Sequence, residues 1–447
     1  MIVFDEAGKK KAFIAANRFG LGSDPEILDV IGRDARGWLI DQLHAGDDAF
    51  PYLRGLPTST QMIAEFLRAR SDANTRQKFN KERAAPLYRM EVYRRTVAAV
   101  RTGTPFRERL VRFWSNHFTI SVTVGRLRPV AGAYEREAIR PHVTGRFVDL
   151  LTAVTRHPAM LIYLDNAQSA GENSSFGRRR RRGLNENLAR EILELHTLGV
   201  GGGYNQMDVT EFAKILTGWR FRGPRFDDPG HFAFVKFMHE PGPKTLLGKT
   251  YPENGVEEGI QALQDIARHP STAKFIATKL ARHFISDTPP DDAVEKLRSI
   301  FVESDGDLAA VSRALVELPY AWEEPFTKIK TPAELSISAF RLLGMPERQR
   351  QAMAPFRLLG QMPFSAPSPA GWPDTAEDWI SPESMIRRIQ LMQLLVNRLH
   401  GDIDPRKLAK TSFAPVISEN TRLSVERAES RKSALALLLS APEFQRR

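Results

Sequence analysis

The sequence contains no cysteine. That excludes disulfides, thiolate metal sites and a cysteine nucleophile, and leaves the redox compartment open. No run of about 18 apolar residues occurs, the length a membrane-spanning helix requires. The N-terminal Met-Ile-Val-Phe-Asp-Glu-Ala-Gly-Lys-Lys-Lys carries charge without a following apolar stretch, so no secretory signal is read in it. The expectation is a cytoplasmic protein, with a periplasmic location left to another export route. Also missing are a Gly-x-Ser-x-Gly elbow, a His-Glu-x-x-His helix, and the strand–glycine–helix grammar of P-loop and Rossmann proteins. With them go the common serine hydrolases, zincins and nucleotide-binding folds.

What is present is an ordinary folding composition: 447 residues, 42% hydrophobic and 26% charged. The 64 Lys and Arg against 53 Asp and Glu leave a net charge of +11. Such an excess favours anionic partners, though arginine-rich soluble enzymes share it. Helical periodicity dominates and predicts a mainly α, multi-helix array. Helices are expected over Lys9–Phe19, from Asp24-Pro25 onward, across Arg83–Phe118 with a break at Gly103–Pro105, and over Tyr134–Thr155 with a kink or split at Pro141. Gly183–Leu198 follows, and a further series runs from Val256 to a final helix at Leu423–Leu439. Around residues 221–251 glycine and proline are dense and Phe232, Phe234 and Lys236 alternate, which predicts a small β-hairpin or ordered loop. The chain reads as one unit over 1–447, with lobes at 1–220 and 256–447 flanking a 221–255 insertion.

The richest chemistry lies between Asn185 and Trp219. On a regular helical wheel Asn187, Arg190, Glu191 and Glu194 share one face of an otherwise apolar helix. Glu191 and Glu194 are candidate catalytic carboxylates or divalent-metal ligands, and Arg190 a candidate substrate contact. The same residues also suit i,i+4 pairing that knits the helix. His196 falls opposite and reads as a buried, hydrogen-bonded histidine. Gly199 is a natural C-cap, and Asp208 with Glu211 has capping-box spacing. His117, inside the aromatic Phe113–Phe118, and His239, in a glycine- and proline-rich loop, are further candidate catalytic groups. Lys244, Trp219, Trp372 and Asp374 complete the candidate substrate-binding set. Five arginines at Arg178–Arg182 form a solvated run or a clamp on phosphate, sulfate or uronate groups. No recognition-helix pattern surrounds them, so nucleic-acid binding rests on charge alone.

Several strings are distinctive together: Asn185–Val200, Asp208–Trp219, Phe113–Phe118, Lys244–Gly248, Arg268–Leu280, Gly371–Asp374, Ala441–Arg446 and Asn17–Gly22. In these the chain resembles the bacterial family called domain of unknown function eighteen hundred, over nearly its whole length. The resemblance implies a largely helical fold. It also implies genomic proximity to a protein like the sulfatase and alkaline-phosphatase superfamily, and export of many members. Where that family has His-Asp, this sequence has His239-Glu240. Two functional expectations follow. One is an enzyme acting on a sulfated, phosphorylated or uronic substrate, metal-assisted or not. The other is a non-catalytic accessory or chaperone partner of the sulfatase-like protein.

Overall fold

A computed structural model describes residues 6–70, 72–180, 183–399 and 403–447. The architecture is mainly α-helical, with two antiparallel two-stranded sheets. Several long helices begin where proline supplies the preset φ of the first turn: Pro105–His117, Pro270–Phe284, Pro332–Leu343 and Pro382–Asn397. The break expected at Gly103–Pro105 separates Ala85–Arg101 from Pro105–His117. Pro141 splits the next segment outright, into short turns ending at His142 and a helix at Phe147–Arg156. The segment Leu423–Leu439 is not one helix: Ser430 caps a new helix at Arg431–Ser440, after Glu419–Glu426 has ended.

The small β-hairpin or ordered loop expected around 221–251 takes the form of two short hairpins. Trp219–Phe221 pairs with Phe232–Phe234, and Lys244–Leu246 with Lys249–Tyr251. Asn205, not Asp208, caps the helix Gln206–Ile215; its side chain accepts from the amides of Met207 and Asp208, while Asp208 returns a bond to the Asn205 amide. The capping box is thus real but begins three residues earlier.

The wheel drawn through Asn187–Leu198 also changes. Regular helix stops at Glu191, and Ile192–Thr197 winds as a π-helix. The wider turn is stabilised by the Thr197 hydroxyl, which donates to the Ile192 carbonyl at 2.6 Å. Gly199 closes it at φ +80°, where an added Cβ would lie 2.6 Å from the Phe275 ring. That contact packs the segment against the Pro270–Phe284 helix.

One large apolar core runs from Ala12 to Ala321, and a second gathers Leu335 to Phe444 around Phe13. The last residues tie the two: Lys328 and Arg447 exchange backbone hydrogen bonds, and the Lys330 amide donates to Gln445. No helix among the described residues is long and apolar enough to cross a membrane.

A cationic cavity where three motifs meet

A cavity of about 340 Å³ lies where Phe113 of the large core faces a small separate cluster of Leu21, Ile337, Ala333 and Met362. One wall is the Pro105–His117 helix, which presents Arg112, Asn116 and His117. A second is the Pro270–Phe284 helix, with Lys279, Arg282 and His283. The third is the Trp372–Asp374 loop. Arg95, Arg109 and Glu334 complete the polar lining, so five cationic side chains face two carboxylates.

The loop is fixed to the first helix by one side chain. Asn116 donates from Nδ2 to the Trp372 carbonyl at 2.9 Å and accepts the Trp372 amide at 2.8 Å. Gly371 permits this approach, having φ +84°; a Cβ there would stand 2.5 Å from the Asn116 carbonyl oxygen. Asp374 is thereby carried to His283, whose Nδ1 lies 2.7 Å from Asp374 Oδ2. A carboxylate can only accept, so Nδ1 carries the proton and Nε2 is left as a lone pair. His283 Nε2 is buried with no hydrogen-bond partner among the described residues. Lys328 holds the Asp374 backbone carbonyl and bonds Asp287 at 2.5 Å, which braces the loop from beneath.

His117 shows the complementary pattern. Its Nε2 donates to the His196 carbonyl at 3.0 Å, leaving Nδ1 unprotonated and, among the described residues, unpartnered. Burial, then the charge of Lys279, hold His117 far below the usual histidine range, so it is neutral. His196 is buried as expected, but its hydrogen bond to His117 runs through its backbone carbonyl rather than its ring.

The cations differ in how far they are already committed. Arg109 pairs with Glu334 at 2.6 Å and bonds the Gly20 carbonyl at 3.0 Å. Arg95 pairs with Glu135 at 2.7 Å. Arg112 donates from Nη2 to the Arg95 carbonyl at 3.3 Å, and its buried Nε approaches Glu108 at 3.4 Å without forming a hydrogen bond. Lys279 has no hydrogen-bond or carboxylate partner among the described residues; its contact is the Phe275 ring, 5.5 Å from Nζ. Burial, opposed by Asp374 and reinforced by Arg282, lowers its pKa to about 8.

The other candidates lie elsewhere. His239 and Lys244 belong to a closed cluster: His239 Nδ1 donates to the Thr217 carbonyl at 2.9 Å, Lys244 Nζ donates to His239 Nε2 at 3.0 Å, and Glu258 lies 3.1 Å from both. All three side chains are buried. Glu240 docks a neighbouring turn, accepting from the Asn173 amide and side chain at 2.9 and 2.6 Å. Trp219 is fully enclosed against Phe232 and Gly259, and has no free surface for a substrate. Arg190 pairs with Glu186 at 2.9 Å, in the helix-knitting arrangement. Glu191 and Glu194 stay close enough that burial, and then the charge of Glu194, raise the Glu191 pKa. No hydrogen bond or ion pair among the described residues joins them to His117, His239 or Asp374. Nor does any cluster of three or more histidine, aspartate or glutamate side chains among the described residues have a metal-holding arrangement. Arg178, Arg179 and Arg180 are exposed at the end of a short helix, and Arg181 and Arg182 lie outside the described residues.

Of the residues singled out in the sequence, the structure brings His117, Trp372 and Asp374 to one cavity; Lys279, Arg282, His283 and Arg112 line it too and were not singled out. A signal for three of these was present. Lys279, Arg282 and His283 stand at i, i+3 and i+4, a polar stripe beside the apolar one of Ala277, Leu280 and Phe284.

The structure defines a mainly helical protein with a cationic, histidine-containing cavity at the edge of its large core. The profile of the family described as protein of unknown function (DUF1800) matches residues 14–446, and the chain belongs to that family. No curated protein and no solved structure matches it.

Proposed function

We propose that the protein is an enzyme acting on an anionic substrate, with the cavity between the Pro105–His117 and Pro270–Phe284 helices as its active site. The observation that carries this reading is Lys279: an ammonium in a partly enclosed cavity, without a carboxylate partner among the described residues. A cation in a low-dielectric setting is costly unless paired, so a bound anion is the natural partner. Arg112 and Arg282 add donors to the same space, and both carboxylates that face it are engaged by Arg109, Arg447, His283 and Lys328. The paired His283–Asp374 supplies a proton acceptor of fixed tautomer beside the bound anion.

Calorimetry and thermal unfolding with phosphate, sulfate and glucuronate at low ionic strength test this. At least one should bind and raise Tm in the native protein, and Lys279→Gln should lose most of that response. Equal responses in native protein and variant, or none in either, would remove the cavity from consideration.

A further inference from the structure

Three lysines are buried among the described residues, and each is tied down. Lys244 lies 3.1 Å from Glu258, Lys328 lies 2.5 Å from Asp287, and Lys330 donates to Asn17 and Ser338 at 3.0 Å each. Lys279 is half-buried, faces the cavity and has no such partner among the described residues. A lysine used only as a structural cation gains from a counter-charge. One without it, beside other cations, is the arrangement that frees an amine for nucleophilic work.

We infer that Lys279 is an imine-forming amine, condensing with the oxo group of a small anionic carbonyl compound, a 2-oxo acid or an anionic aldehyde. This rests on the anion-site reading and names its substrate class. The carboxylate of such a compound would take Arg112 or Arg282. Arg282 lies three residues beyond Lys279 on the same helix face, and Arg112 lies across the cavity.

The step balances with one proton drawn from solvent, which stays on the product as a protonated imine. The Lys279 nitrogen lone pair forms a bond to the carbonyl carbon, the C=O π pair moves to oxygen, and that oxygen takes the solvent proton to become the carbinolamine hydroxyl. The nitrogen loses a proton to His283 Nε2, whose Nδ1–H stays on Asp374. The imidazolium returns that proton to the hydroxyl, the C–O bond breaks, water leaves, and a C=N bond remains. Nothing is oxidised or reduced. Burial, which brings the amine to about pKa 8, leaves a reactive neutral fraction near neutral pH.

The test uses the whole protein with pyruvate, 2-oxoglutarate and glyoxylate in turn, reduced with sodium borohydride and followed by intact mass and peptide mapping. One reduced adduct is expected, mapping to Lys279, with a rate that rises as pH passes through 8 and falls when phosphate is added. Lys279→Arg should give none. Mapping on the native protein locates the adduct even if that variant fails to fold. Adducts scattered over surface lysines, or none with any of the three compounds, would overturn the inference. If phosphate still raised Tm in that case, the anion site would stand without its imine; if it did not, both would fall together.

Discussion

The chain contains two assemblies of lysine, histidine and carboxylate, and they are built to opposite ends. Lys244, His239 and Glu258 close on one another at 3.0 to 3.1 Å in the core, with His239 anchored to the Thr217 carbonyl. Lys279, His283 and Asp374 surround a cavity. There the carboxylate is bound to the histidine, while the lysine and one imidazole nitrogen stay without partners among the described residues. The residue types are the same. What differs is unsatisfied valence beside open space, and that is what distinguishes a site that can take a ligand from a polar knot that fixes a loop.

The closed cluster should show the largest effect on stability. Glu258→Ala leaves a buried ammonium facing only an imidazole, and removing one partner of a buried pair costs about 3–5 kcal/mol. Chemical denaturation should register that loss as a lower midpoint with unchanged slope. A change under about 1 kcal/mol, within the range of ordinary surface substitutions, would show that the cluster is solvated and that the contrast is false.

The next effect belongs to the loop that forms one cavity wall. Gly371→Ala must relax a left-handed φ and a 2.5 Å contact with the Asn116 carbonyl, which costs about 1–3 kcal/mol. It should also displace Asp374 from His283, so the anion response should weaken along with Tm. Loss of stability with an intact anion response would mean that Asp374 is held by Lys328 and Arg447 alone, independently of Asn116.

These contrasts explain how much the sequence could reveal. Helix content, the Gly103–Pro105 break and the Gly199 cap were legible because each depends on neighbours in the chain. The π-turn at Ile192–Thr197 was not, since it answers to packing of Gly199 on Phe275, a contact between distant segments. The candidate site was half legible. His117, Trp372 and Asp374 stand out in aromatic or glycine-rich settings, but Asp374 and His283 are 91 residues apart and only the fold pairs them. His239 and Lys244 drew notice for the same reason as Asp374, and tertiary packing gave them a structural task. The polar stripe of Lys279, Arg282 and His283 is legible in its helix, but only the fold brings that face to a cavity.

Lys279 sharpens the comparison most, although the energies are smallest. Lys279→Gln removes a partly desolvated charge with no internal partner among the described residues, so at neutral pH stability should stay level or rise rather than fall. The pH dependence has a definite sign. An unfolded lysine titrates at its ordinary value of 10.5 and the folded one near 8, so between these the unfolded chain binds more protons. Relative to Lys279→Gln, the native protein should therefore gain stability as pH rises from about 8 to 10.5. Anion affinity should run the other way. The ammonium is present below pH 8 and lost above it, so binding of sulfate, whose own charge is constant here, should weaken several-fold between pH 7 and 9, on the order of 1 kcal/mol. Calorimetric titration of native protein and Lys279→Gln across that range checks both. A native affinity that stayed flat across it would mean that Lys279 does not contact the anion and that Arg112 and Arg282 bind it alone.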